Sequence, residues 1–147
     1  MKIQEIHFKE TFPVRHRVLR QGKPIESCFF EGDDDATTVH FGLFDPQECI
    51  GVASIFKNNN SFFNNAVQYQ LRGMAVIEAF QRKGLGEQLV KYTENYIQLK
   101  EATLLWFNAR QTAVAFYEKL GFEKKGEAFD IPDVGTHYLM VKEYKKH

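Results

Sequence analysis

Six residues, Gln81-Arg82-Lys83-Gly84-Leu85-Gly86, place two cations beside two glycines. Such a run can hold a diphosphate if it opens a helix. A helix start leaves its first N–H groups without intrahelical partners, and the macrodipole adds partial positive charge there. Glycines remove the Cβ atoms that would keep an anion at a distance. Arg82 and Lys83 add full charge. The spacing that follows supplies the helix: Leu85, Leu89, Tyr92, Tyr96 and Leu99 recur on one amphipathic face. Glu87, Gln88, Lys91, Glu94, Asn95 and Gln98 fill much of the other side. The loop therefore predicts an anion site, with a plain tight turn as the alternative.

Two familiar nucleotide loops fit poorly. A Walker A loop needs Ser or Thr after its Gly-Lys, and here Gly86 is followed by Glu87. A dinucleotide fingerprint needs a third small residue where Leu89 stands.

A second constellation lies downstream. Trp106-Phe107-Asn108-Ala109-Arg110 is followed by Ala113, by Phe116-Tyr117, and by Leu120-Gly121-Phe122-Glu123. Together, Gln-x-x-Gly-x-Gly after a Val-Ile strand and Asn, Ala, Phe-Tyr, Leu-Gly-Phe in this order resemble motifs A and B of the GNAT family of N-acetyltransferases. The resemblance covers residues 67–129 well; the first third agrees mainly in its order of elements.

The resemblance implies the acyl-CoA N-acyltransferase fold: α/β, with a mixed, mostly antiparallel sheet, splayed central strands and flanking helices. It implies one domain over residues 1–147, acetyl-CoA as cosubstrate and no metal. The CoA pyrophosphate is then expected on Gln81, Arg82, Lys83, Gly84, Leu85, Gly86 and Glu87. The pantetheine arm is expected along the backbone of Met74, Ala75 and Val76, with Asn108 at the splayed strands as a further cofactor contact. Gly73, inside that strand, marks a bulge or a close approach. Tyr117 would donate a proton to the departing sulfur. A phenol with a reference pKa of about 10 stays protonated at neutral pH, as an acid must. The alternative is an aromatic packed beside Phe116. Asn108 can equally be a strand-end residue, and Arg110 a phosphate ligand, a substrate ligand or a surface charge.

The implied reaction moves an acetyl group directly to a primary amine of a small molecule or peptide. Two rivals remain: a non-catalytic CoA-binding module of the same fold, and a nucleotide-binding or interaction domain using the same loop. The attacking amine must lose a proton, yet residues 66–77 contain no Asp or Glu. Glu78, a water relay or a histidine is left. His137 stands in a Phe129, Pro132, Gly135, His137, Met140 tail that resembles a bacterial subfamily ending. It is the candidate catalytic base, or else a hydrogen-bonded structural residue. His40, mid-strand, reads as structural. The acceptor site is expected from the early helix, the loop after it and the last hairpin. Arg15, Arg17 and Arg20 would line it and suit an acidic acceptor. Cys28 is either a contact there or a buried small residue.

The elements needed to position these groups are legible. Ile3 to Phe8 predicts a strand, followed by a helix to Leu19 with Pro13 in its first turn. Val39–Phe44 and Ile50–Phe56 predict a hairpin about Asp45-Pro46-Gln47-Glu48. Asn58-Asn59-Asn60-Ser61 and Asn64-Asn65 read as polar breaks. Val67–Ile77 predicts a longer strand, Thr103–Phe107 a short one, and Gln111–Leu120 a helix closed by Gly121. Strands follow from Phe122 and over Tyr138–Tyr144, with room for one more.

Composition bounds the rest. A length of 147 residues suits one domain. Nineteen basic residues balance nineteen acidic ones, which argues against a nucleic-acid binder. Lys9, Arg15, Arg17, Arg20 and Lys23, then Asp33-Asp34-Asp35, read as solvated charge. Cys28 and Cys49 fit a reduced protein. The start, MKIQEIHFKE, has no apolar signal region, and no apolar run approaches the roughly 20 residues of a membrane helix. A soluble, cytoplasmic enzyme is expected. Fourteen Phe and six Tyr leave room for a homodimer interface.

Overall fold

Residues 1–64 and 67–145 are described by the computed structural model; Asn65 of the second polar break lies outside them. The order is β1 (Lys2–Ile6), α1 (Phe12–Leu19), β2 (Val39–Phe44), β3 (Cys49–Phe56), β4 (Gln68–Val76), α2 (Leu85–Leu99), β5 (Leu104–Arg110), α3 (Val114–Lys119), β6 (Glu123–Ile131) and β7 (Gly135–Glu143). This is the order that the hydrophobic patterns predict, with β6 as the strand from Phe122 and β7 as the final strand over Tyr138–Tyr144. Short 3-10 turns precede α1 and α3. Pro13 takes its place in the first turn of α1, where its missing N–H leaves no bond unmade.

The strands hydrogen-bond in the order β1-β2-β3-β4-β5-β7-β6. Pairings β1–β2, β2–β3, β5–β7 and β6–β7 are antiparallel, and β4–β5 is parallel. The chain thus has a mixed α/β fold with a seven-stranded sheet and flanking helices. The hairpin β2–β3 forms about the Asp-Pro turn, where the Asp45 N–H donates to the Glu48 carbonyl at 2.9 Å. The parallel register covers only Gln68–Gln70 against Leu104–Trp106.

Residue contacts divide into two units: Met1–Lys57 with Leu71–Tyr96, and Asn58–Gln70 with Ile97–His147. In the first unit, Phe41, Leu43, Ile50, Val52 and Ile55 of the hairpin are fully buried. On α2, the sequence spacing predicts a buried stripe through Leu85, Leu89, Tyr92, Tyr96 and Leu99. The structure turns that stripe toward Val90, Thr93 and Ile97, which are fully buried, and leaves Leu99 84% exposed. Tyr92 and Tyr96 instead flank the stripe, edge-on to Phe41 at 5.1 and 5.2 Å. The compact aliphatic and β-branched side chains take the covered side. Tyrosine suits its margin, with an apolar body and a polar tip.

A second correction concerns the charge runs. Arg15 and Asp33 are not solvated; both side chains are wholly buried and paired. Arg15 donates to both carboxylate oxygens of Asp33, to the Cys28 carbonyl at 2.8 Å and to Ser54 Oγ at 3.0 Å. Asp33 also accepts the Phe30 N–H at 2.8 Å. Among the described residues, only Arg15 Nε is a fully buried side-chain polar atom without a partner. It stands beside Gly73, whose φ of +65° bends β4. A Cβ on Gly73 would lie 2.8 Å from Phe30 Cε2 and 3.2 Å from Arg15 Nε, so no side chain fits.

His40 completes this network, in the structural role its mid-strand position predicts. Its Nε2 is 2.9 Å from the Asp33 carbonyl and its Nδ1 is 2.6 Å from Ser54 Oγ. A carbonyl can only accept, so Nε2 carries the proton and Nδ1 accepts from Ser54.

In the second unit, Leu104, Trp106 and Val141 pack with Phe63 and Leu139. Phe107 packs instead on Tyr117 at 4.4 Å and on Phe122 at 5.0 Å. Strand alternation places these two clusters on opposite faces of β5. Gly121, at φ +97°, follows α3 as its left-handed stop. Among the described residues, no helix is long and apolar enough to cross a membrane.

The His40 network sets a pH dependence. Desolvation lowers the His40 pKa; the Arg15 and His7 charges lower it further, and the Asp33 carbonyl and carboxylate oppose them. A depressed pKa means that protonation favours the unfolded chain. This contribution is full above the unfolded value of about 6.5 and is lost as pH falls below it. Melting temperature should therefore drop between about pH 7.5 and 5.5, and less steeply in His40→Asn. Parallel curves for the two proteins would refute the assignment.

Candidate active site

The phosphate-loop residues all lie in the first unit, running from the turn after β4 into the first turn of α2. The backbone turns at Arg82, φ +63°, and again at Gly84, φ +78°. Left-handed residues at this spacing turn successive N–H groups into a shared concavity. Helix α2 begins at once: the Gln88 N–H donates to the Gly84 carbonyl at 3.2 Å. The N–H groups of Leu85, Gly86 and Glu87 therefore precede the first intrahelical bond. Nothing lies within 4 Å of where a Gly84 Cβ would stand. Arg82, Lys83 and Gly84 are exposed, while Leu85 is buried and anchors the helix.

Several of these residues are positioned more narrowly than the sequence suggests. Gln81 Nε2 donates to the Val76 carbonyl at 2.8 Å, tying the loop to the end of β4. The Glu87 side chain pairs with Lys91 at 3.2 Å, which leaves its backbone N–H as the group available to an anion. Lys83 Nζ rests 5.5 Å from the Phe80 ring centre. Met74 is half-buried; Ala75 and Val76 are buried. All three follow the bend at Gly73.

The second unit carries the remaining candidates. Asn108 and Arg110 are exposed and share one face of β5, with buried Phe107 and Ala109 on the other. Tyr117 is 8% exposed, tilted against Phe107 and edge-on to Phe116 and Phe122. Desolvation pushes its pKa far above the ordinary value of about 10. No hydrogen-bond partner meets its hydroxyl among the described residues, yet that oxygen is not one of the fully buried orphans. The phenol thus keeps its proton and some access to solvent.

His137 lies opposite Arg110 in the β5–β7 ladder. It is 5% exposed and stacked on Phe129 at 6.0 Å. Its Nδ1 is 2.8 Å from the Gly135 carbonyl, so Nδ1 holds the proton and the lone pair of the neutral ring is at Nε2. Of the other base candidates, Glu78 pairs with Arg17 at 3.1 Å in solvent, and both His40 nitrogens are engaged. Cys28 is fully buried, as the small-residue reading expects, and its thiol pKa is raised mainly by desolvation.

Residues 3–122 match the Acetyltransferase (GNAT) family. The chain belongs to that family. It is 33% identical over 142 residues to an uncharacterized N-acetyltransferase, YitI, of Bacillus subtilis, covering 97% of this chain and 95% of the relative. Solved structures share the fold at low identity. One is an aminoglycoside 6'-N-acetyltransferase complexed with coenzyme A, with a TM-score of 0.77, 14% identity and 97% of each chain covered. Another is the ribosomal-protein-S18-alanine N-acetyltransferase of Escherichia coli, with a TM-score of 0.75, 18% identity, and 97% of this chain and 92% of that one covered. The protein is accordingly an N-acetyltransferase.

The sequence reading missed the Gln81–Val76 tie and the engagement of Arg15 and Arg17. It also missed Arg72, half-buried next to Gly73. The available signal was the lone charged side chain in β4.

Proposed function

We propose that this chain transfers an acetyl group from acetyl-CoA directly to the primary amine of a small molecule or peptide. The observation that carries the reading is the loop backbone: two left-handed residues followed at once by a helix start. Its free N–H groups, open approach at Gly84 and two exposed cations fit a diphosphate. The backbone of Gly84, Leu85, Gly86 and Glu87 would hold the pyrophosphate, with Arg82 and Lys83 adding charge and Gln81 fixing the loop. Met74, Ala75 and Val76 offer a backbone edge of β4 to the pantetheine amides, and Asn108 offers a side-chain amide. When bound, acetyl-CoA supplies a thioester whose C–S bond breaks as the amide C–N bond forms.

The protein's own groups must handle two protons. Tyr117 holds a phenolic proton at its hydroxyl and is the donor for a departing sulfur. His137 presents a lone pair at Nε2 and is the acceptor for the amine proton. As a single domain in the cytoplasm, alone or as a homodimer, the chain would work on soluble amines.

The cofactor reading is tested by thermal melts with acetyl-CoA, CoA and ATP. A ligand at about 100 times its dissociation constant adds roughly 2.7 kcal/mol, a shift of several degrees at this size. The CoA compounds alone should give it, and Gly84→Glu should abolish it. A shift with ATP as large as with CoA would point to a different phosphate ligand.

Tyr117→Phe should keep the CoA-induced shift and lower kcat by about 10²–10⁴-fold. Unchanged kcat would leave Tyr117 a packing residue. His137→Gln should likewise keep the CoA-induced shift and lower kcat by about 10²–10⁴-fold. Unchanged kcat would assign the base elsewhere.

A further inference from the structure

Charge does not balance around Phe30. Three guanidinium carbons lie over this one ring: Arg15 at 4.0 Å, Arg20 at 5.1 Å and Arg72 at 5.1 Å from its centre. Arg15 alone has a carboxylate, that of Asp33. Arg17, the other cation on α1, is spent on Glu78. Among the described residues, neither Arg20 nor Arg72 forms an ion pair. Arg20 Nη1 donates to the Leu19 carbonyl at 3.2 Å, and Arg72 Nη1 reaches the Glu31 carbonyl at 3.4 Å. Asp33 and, more weakly, Glu31 act on Arg72 only as charges at a distance, outweighed by desolvation.

Arg72 is half-buried, with its guanidinium 5.0 Å from a second ring centre, that of Phe56. A cation this desolvated calls for a counter-charge, and most of its N–H donors are unspent. A guanidinium presents those donors as a planar fork matched to a carboxylate. Arg72 also stands on β4 immediately before Gly73-Met74-Ala75-Val76, the segment proposed above for the cosubstrate.

We propose that Arg20 and Arg72 bind a carboxylate of the acceptor, so that the acetylated amine belongs to an amino-acid-like molecule with a free carboxylate. This rests on the N-acetyltransferase reading and narrows its acceptor. The sequence expectation assigned an acidic acceptor to Arg15, Arg17 and Arg20. The structure withdraws the first two and adds Arg72.

The test is calorimetric titration of the full chain, saturated with CoA, using L-amino acids and their carboxamides as matched pairs. At least one amino acid should bind about tenfold more tightly than its amide, the size expected for hydrogen bonds to a charged group. The preference should weaken with added salt and vanish in Arg72→Gln. Arg20→Gln is the second variant, should Arg72→Gln not fold, and it should reduce the preference in the same direction. Both folded variants should keep the CoA-induced thermal shift. Equal binding of acid and amide, no binding of any amino acid, or a preference that survives both substitutions would overturn the proposal. Failure of the cofactor reading itself would show separately, as a wild-type protein that CoA does not stabilise.

Discussion

A guanidinium that water cannot reach has to be matched donor by donor, and Arg15 draws much of the first unit around that requirement. Its partners come from the loop after α1, through Cys28 and Asp33, and from β3, through Ser54. Ser54 and Asp33 then fix His40 on β2. Removing one member of such a pair leaves an uncompensated buried charge, typically at a cost of about 3–5 kcal/mol. The same group constrains β4. Phe30 stacks on Arg15 and fills the place that a side chain at position 73 would occupy. The left-handed bend at Gly73 and the buried ion pair therefore depend on each other, and the course of Met74–Val76 follows from both.

The phosphate loop shows the same economy on a smaller scale. Arg82 adopts a left-handed backbone without being glycine, at a cost of roughly 1–2 kcal/mol. Gly84, two residues on, adopts it freely. The Gln81 side chain secures the loop by bonding the last carbonyl of β4. Fixed backbone donors can recognise an anion at short range and are little affected by salt. The exposed cations act over a longer range and are screened. The backbone would thus set specificity for the diphosphate, while Arg82 and Lys83 mainly speed its arrival.

Much of this could be read from the sequence because it is local. The β2–β3 hairpin follows from an Asp-Pro turn between two β-rich runs, and α2 begins where the glycine loop requires it. What could not be read depends on partners far along the chain. Asp33 lies eighteen residues from Arg15, in a run of three aspartates that looks solvated, and its neighbours Asp34 and Asp35 are indeed exposed. The covered face of α2 was ambiguous because tyrosine can stand either inside or at the margin. Tyr117 was visible as a residue type, but its retained proton depends on Phe107, Phe116 and Phe122 arriving around it. His137 was visible as a titratable group. Its tautomer depends on the Gly135 carbonyl, which no spacing announces.

That tautomer bears on how an acetyltransferase could work without a carboxylate on the strand before its loop. A carboxylate accepts a proton from several directions and is ionised throughout the neutral range. In the proposed reaction, its place is taken by two groups with opposite assignments. Tyr117 is desolvated, so it stays a donor well above neutral pH. His137 gives its Nδ1 proton to a carbonyl, which leaves a single lone pair at Nε2. Neither group can take the other's role. The proposed chemistry and the fold therefore draw on different imidazoles: His137 keeps an unengaged lone pair at Nε2, whereas both nitrogens of His40 are already engaged.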